Sequence, residues 1–168
     1  LAAAHHASIV HRDLKPDNIF LVSHGAEHDF VKILDFGIAK VSSAEGRITR
    51  AGTIFGTPHY MAPEQAAGNP VDHRGDIYSF GVILYEMISG RRPFDADTFM
   101  AILSQHMYKA PTPFGMLTPP LAEPVAAALE AVILKCLSKR PENRYQSIDE
   151  LGEELDRFCN GEVPNAVS

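Results

Sequence analysis

The sequence predicts a mainly α-helical fold built around one central buried helix, with a small β-hairpin near the N-terminus. Apolar residues recur at helical spacing through most of the chain after residue 72. Two short β-rich runs, residues 19–22 and 31–34, lie close together before that point. The 168 residues suit one ordinary domain, and a content of 45% hydrophobic and 21% charged residues is typical of a globular protein.

The N-terminal part is expected to contain a helix end, a loop and the hairpin. Residues 1–7 indicate the end of a helix, and Pro16 then disfavours helix because it lacks a backbone donor and restricts the residue before it. The polar segment 23–29 between the two β-rich runs predicts a hairpin with a long loop. Residues 37–63 show little periodicity, and a connecting segment of that length is usually functional.

The central helix is predicted to begin near Asp72 and to end at Gly90. Its main apolar face comprises Ile77, Phe80, Leu84, Met87 and Ile88. Further apolar residues lie off that face, at Tyr78, Val82 and Tyr85. A helix that is apolar nearly all round is expected to be buried.

Three more helices are predicted after it. Asp97 is expected to cap a helix that ends near residue 108, and residues 110–120 form a proline-rich linker. Pro124 opens the next helix and Pro141 ends it. Ser147 and Glu150 have the spacing of a capping box, which predicts a last helix to about residue 159.

Composition excludes several classes of function. The formal net charge of -6 and the pI of about 5.7 argue against sequence-independent nucleic-acid binding, which needs a basic surface. Cys136 and Cys159 form no C-x-x-C pair, and no histidines or cysteines stand at zinc-site spacing. No apolar run reaches the length of a membrane span. Only two cysteines in a chain of this length suggest a reducing compartment, so a cytoplasmic location is expected.

Five motifs carry the chemistry. Residues 11–18 read HRDLKPDN, residues 35–37 read DFG and residues 56–64 read GTPHYMAPE; residues 76–81 read DIYSFG, and Arg144 stands in KRPENRYQS. In this order they resemble the C-terminal lobe of eukaryotic-like serine/threonine protein kinases of the bacterial type. Each motif alone is weak, but five in order are specific, and the resemblance extends to about residue 159.

The resemblance implies phosphoryl transfer from ATP to serine or threonine hydroxyls of a protein substrate. Asp13 would accept and orient the substrate hydroxyl, and Lys15 would place positive charge beside the transferred phosphoryl group. Asn18 and Asp35 would bind Mg²⁺, which prefers oxygen ligands and which Mn²⁺ can replace. Thr57 would help to position the substrate residue.

Further roles are implied for residues around this centre. Phe20 would form the floor under the adenine ring, besides being a core aromatic in any fold. Asp76 would accept backbone N–H groups of the catalytic loop, and Glu64 would form a buried ion pair with Arg144. The expected structural residues are His11, Phe36, Glu64, Asp76 and Arg144.

Regulation by phosphorylation is also implied. Arg12 precedes the catalytic aspartate, and in kinases with this arginine it pairs with a phosphate on the activation segment. The distance to Thr57 favours Thr49 and then Thr53 as the phosphorylated residue. Ser42 and Ser43 are further candidates, and all four residues have the alternative interpretation of solvated loop hydroxyls.

The 168 residues contain no glycine-rich G-x-G-x-x-G loop and no V-A-I-K-like strand, which a complete kinase needs above the nucleotide. We therefore expect residues 1–159 to be the C-lobe portion of a kinase domain and residues 160–168 to be a C-terminal tail. The N-lobe of the intact protein is the expected partner, and the chain alone is expected to have little activity and to expose Phe20 and Phe36. The alternative is a non-catalytic, kinase-like interaction module.

Overall fold

A computed structural model describes residues 1–24, 27–36, 57–120 and 125–167. Helix α1 (Ala2–His6) precedes an antiparallel hairpin of β1 (Ile19–His24) and β2 (Glu27–Ile33). The later helices are α2 (Pro63–Ala66), α3 (His73–Ser89), α4 (Phe99–Tyr108), α5 (Ala127–Cys136) and α6 (Ile148–Cys159). The predicted fold class, mainly helical with one small hairpin, is confirmed.

Helix α3 is the central helix of the fold. The Asp72 side chain caps its start by accepting a hydrogen bond from the Arg74 N–H at 2.9 Å, and Gly90 ends it in the left-handed region with φ 69°. Most of its apolar side chains are buried, as predicted. Phe80, Leu84 and Ile88 are partly exposed, and Met87 is 74% exposed although the sequence places it on the main apolar face. A helix with apolar residues all round has no polar stripe to mark its outer side, so the neighbouring elements decide which residues are covered.

Two clusters of buried side chains form the core around α3. The larger one includes Val82, Phe94 and Leu137 and joins α3 to α5 and the loop after α3. The smaller one joins α3, α5 and α6. Helices α3 and α5 approach closely at Gly81, where an added Cβ would lie 2.5 Å from the Cβ of Cys136. Glycine is therefore required at this crossing for steric reasons.

The start of α4 differs by one residue from the prediction. Thr98, not Asp97, is the N-cap, and its Oγ1 accepts a hydrogen bond from the Ala101 N–H at 3.2 Å. Both residue types are good caps, and the backbone path selects the one whose oxygen faces the first turn. Pro124, the predicted opening of the next helix, lies outside the described residues, and α5 begins at Ala127.

The start of α6 carries most of the predicted capping box. The Ser147 Oγ accepts a hydrogen bond from the Glu150 N–H at 3.0 Å. The Glu150 carboxylate accepts from the Gln146 N–H at 2.6 Å, one residue before the N-cap. Beyond the C-terminal end of α6, the Asn165 side chain donates to the buried carboxylate of Glu154 at 2.9 Å. Residues assigned to the C-terminal tail thus contact α6.

The hairpin is longer than predicted. Its register pairs Ile19 with Ile33 and Val22 with Phe30, and the strands extend into the polar segment that we expected to be a long loop. A two-stranded ribbon needs only backbone pairing, so polar residues can continue it. Several of its apolar side chains are exposed, among them Phe20 at 46%. No helix in the described part of the chain is long and apolar enough to cross a membrane.

Candidate active site

His11 anchors the loop that connects α1 to the hairpin. Its Nε2 lies 2.9 Å from the carbonyl of Leu34, which can only accept, so this nitrogen carries the proton. Nδ1 is then the acceptor for the Asp13 N–H at 3.3 Å. The buried imidazole also contacts the Phe36 ring, with 4.8 Å between ring centroids. One side chain thus joins the HRD loop to the DFG segment after β2.

Asp76, on the first turn of α3, holds the same loop from the other side. It is 1% exposed, and its two oxygens accept the backbone N–H groups of His11 at 2.7 Å and Arg12 at 2.8 Å. His5 Nε2 adds a third contact at 2.8 Å. Hydrogen bonds to an ionised acceptor are about twice as strong as neutral ones, which offsets the cost of burying this carboxylate.

Arg12 has a constrained backbone. Its φ of 63° lies in the left-handed region, which costs a non-glycine residue about 1–2 kcal/mol. Asp76 accepts its N–H, and Gln65 Nε2 donates to its carbonyl at 2.9 Å. The guanidinium Nε is buried and has no hydrogen-bond partner within the described part of the chain. An anion could satisfy that donor.

Asp13, Lys15 and Asn18 occupy one short stretch of the loop. Lys15 Nζ lies 3.6 Å from Asp13 Oδ2, and Asn18 Nδ2 donates to the Asp13 carbonyl at 2.9 Å. The Asn18 carbonyl in turn accepts the Leu34 N–H at 2.9 Å, which fixes the loop to the end of the hairpin. Asp35 follows directly, exposed and with φ 55°.

A cleft brings Asp13 and Lys15 together with the segment that begins at Thr57. Its lining comes from the catalytic loop, that segment and α3: Arg12, Asp13, Leu14, Lys15, Thr57, Tyr60, Met61, Gln65 and Ser79. The Tyr60 hydroxyl donates to Glu86 Oε2 at 2.5 Å, and Ser79 Oγ donates to the Tyr60 carbonyl at 2.7 Å. Burial, followed by the bond to Glu86, raises the pKa of Tyr60, so its hydroxyl stays protonated.

Arg144 and Glu64 form a bidentate ion pair beneath the cleft. The two guanidinium–carboxylate distances are 2.8 and 2.7 Å, and Arg144 is 2% exposed. The three remaining N–H groups donate to carbonyls of Ser138, Arg74 and Lys139. Every guanidinium donor is therefore used, and α2 is fixed to the segment before α6.

A second group of buried polar side chains adjoins this pair, since Arg144 Cζ lies 4.9 Å from the centroid of the Tyr78 ring. The Tyr78 hydroxyl lies 2.9 Å from His106 Nδ1, and Lys139 Nζ lies 4.0 Å from the centroid of the Phe94 ring. Burial, and secondarily the Lys139 charge, lowers the pKa of His106 to about 3. Burial, and secondarily Arg144, lowers the pKa of Lys139 to about 8. His106 is therefore neutral and acts as a packing residue.

Comparison with known proteins agrees with this geometry. The family profile described as "Protein kinase domain" matches residues 1–154. The chain belongs to the protein kinase domain family. Similar proteins include the serine/threonine-protein kinase Pkn1 of Myxococcus xanthus, 53% identical over 148 residues, which are 88% of this chain and 21% of that protein. The serine/threonine-protein kinase PknB of Mycobacterium tuberculosis is 42% identical over 166 residues, 97% of this chain and 25% of that protein.

The kinase domain is thus of the bacterial serine/threonine type, and the chain spans about a quarter of the length of the curated relatives it matches. The family uses ATP and a divalent metal ion and phosphorylates proteins. The contacts expected from the resemblance are present at Asp76 and between Glu64 and Arg144. Phe36 is half-buried rather than fully exposed.

Thr49 and Thr53, like Ser42 and Ser43, lie outside the described residues. His5 contacts Asp76, and Gln65 contacts the catalytic loop, but neither was among the predicted site residues. Their signal in the sequence is weak, because each contact depends on where the chain places a distant partner.

Proposed function

We propose that this chain is the catalytic lobe of a protein kinase that transfers the γ-phosphoryl group of ATP to serine or threonine hydroxyls of proteins. The observation that carries the proposal is the cleft in which Asp13 and Lys15 meet Thr57. Asp13 and Lys15 lie on a loop whose backbone is held by the buried Asp76. Catalysis of this reaction depends mainly on positioning and on charge. The loop provides positioning because it is held at several points, and it provides charge through Lys15.

Three residues of the cleft have a chemical task in this proposal. Asp13 orients the substrate hydroxyl and accepts its proton, since a carboxylate is an acceptor at neutral pH. Lys15, 3.6 Å from Asp13, keeps a positive charge beside the reacting oxygen. Thr57, in the wall of the same cleft, contacts the substrate residue.

The donor set around Asn18 and Asp35 fits a Mg²⁺ or Mn²⁺ ion. Both are oxygen ligands of the kind that these ions prefer, and the bond from Asn18 Nδ2 to Asp13 O fixes the orientation of the amide. When bound, ATP would supply the phosphoryl group, and the metal ion would neutralise the negative charge of its phosphates. Phe20, exposed on β1, provides an apolar surface for the adenine ring.

The proposal extends to partners and regulation. The N-lobe of the intact protein would cover the exposed apolar side chains of the hairpin, which include Phe20, Leu21, Phe30 and Val31. A phosphate on Thr49 or Thr53 would pair with Arg12, whose buried Nε has no other hydrogen-bond partner in the described residues. Use of ATP agrees with a cytoplasmic location for this lobe.

The test compares two aspartates of the same loop in the full-length protein expressed from its own gene. Asp13→Asn removes the proposed proton acceptor and should lower kcat at least about 100-fold, with the KM for ATP changed less than about threefold. Asp17→Asn is the matched control, because Asp17 is exposed and has no proposed role. Equal activity of the two variants would contradict the role of Asp13, and absence of activity from the wild type as well would favour a non-catalytic module.

A further inference from the structure

We infer that Gln65 is a positioning residue for Asp13: its side-chain amide fixes the peptide bond that joins Arg12 to Asp13. The inference rests on the proposed kinase function and deepens it, because no motif assigned a role to Gln65. Helix α2 would then directly support the catalytic loop.

The peptide group between Arg12 and Asp13 is held at both ends. Gln65 Nε2 donates to the Arg12 carbonyl at 2.9 Å. The N–H of the same planar group belongs to Asp13 and donates to His11 Nδ1 at 3.3 Å. Rotation of this plane would change the direction in which the Asp13 side chain leaves the backbone, so the two bonds together set its orientation.

The backbone at this point needs support. A non-glycine residue with φ 63° persists only where its surroundings hold it, and Arg12 is such a residue. Asp76 holds its N–H at 2.8 Å from α3, and Gln65 holds its carbonyl from α2. Two side chains from two helices thus fix one strained residue immediately before Asp13.

Gln65 itself is well anchored. Its neighbour Glu64 is bound by the Arg144 guanidinium at 2.7 and 2.8 Å, which fixes the short helix α2. The Gln65 side chain therefore extends from the fixed helix α2 into the cleft that it helps to line. A donor is required there, because the partner is a carbonyl oxygen, which can only accept.

The test uses the full-length protein and two substitutions that remove the donor at nearly constant size, Gln65→Met and Gln65→Glu. Each should lower kcat about tenfold while the KM for ATP stays within about twofold, because the loop is misplaced but the nucleotide contacts are kept. Gln105→Met is the matched control. Its amide also donates to a backbone carbonyl at 2.9 Å, that of Asp95, but lies outside the cleft, so kcat should stay within about twofold of wild type.

A second readout separates this inference from the proposed function. Amide hydrogen exchange of residues 10–14 should be at least about fivefold faster in both Gln65 variants than in wild type and in Gln105→Met, with exchange in α3 unchanged. Wild-type kcat in a Gln65 variant, or unchanged exchange in this loop, would overturn the inference. An inactive wild-type protein would refute the proposed function instead, and exchange alone would then decide the role of Gln65.

Discussion

Replacing Arg144 with methionine tests how much the ion pair beneath the cleft contributes to stability. The substitution leaves the Glu64 carboxylate without a counter-ion in a buried site and removes the donors to three backbone carbonyls. Breaking a buried pair in this way costs about 3–5 kcal/mol, because the remaining charge is uncompensated. For a domain of this size that corresponds to a decrease in Tm of about 6–20 °C.

The measurement is urea unfolding followed by circular dichroism, with Arg92→Met as the matched control. Arg92 Nε lies 3.6 Å from Glu86 Oε1 in a partly exposed pair, so its loss should cost less than about 1 kcal/mol. Adding Glu64→Met to Arg144→Met should recover at least about 1 kcal/mol, since the uncompensated charge is then gone. If Arg144→Met cost no more than Arg92→Met, the account of this pair would be wrong.

Two further predictions concern the core. The pKa of His106 is about 3 in the folded protein, against an ordinary value of 6.5. At a pH between these two values, His106 takes up a proton when the protein unfolds. The free energy of unfolding therefore decreases as the pH falls through this range. This group should contribute a loss of about 2 kcal/mol between pH 7.5 and pH 5, which His106→Asn should abolish in urea unfolding at the two pH values. Gly81→Ala should destabilise by about 1–3 kcal/mol because α5 leaves no room for a methyl group, whereas Gly152→Ala, with nothing within 4 Å, should stabilise α6 by about 0.5–1 kcal/mol. A stabilising Gly81→Ala, measured in the same way, would contradict the close packing of α3 on α5.

The elements that the sequence predicted best are those with strong local signals. Helix α3 begins after Asp72 and ends at Gly90 because a capping carboxylate and a left-handed glycine act within one turn. Where two residues offer the same local chemistry, as Asp97 and Thr98 do, composition cannot distinguish them. The exposure of Met87 likewise depends on which elements pack against α3 rather than on the pattern of α3 itself.

The candidate site divides in the same way. Asp13, Lys15 and Asn18 lie within six positions of one another, so their proximity follows from the sequence alone. The contact between Glu64 and Arg144 spans 80 positions and was expected only through the family resemblance. The contacts of His5 with Asp76 and of Gln65 with Arg12 also join distant segments, and no short motif encodes them.

Phosphoamino-acid analysis is the most direct test of the central claim, that the cleft around Asp13 transfers phosphate to serine and threonine. The full-length protein would be incubated with ATP labelled in the γ-phosphate, a divalent metal ion and a general protein acceptor. The account predicts label on phosphoserine and phosphothreonine, and none when Asp13 is replaced by asparagine. Label on phosphotyrosine alone, or equal labelling by the Asp13→Asn variant, would contradict it.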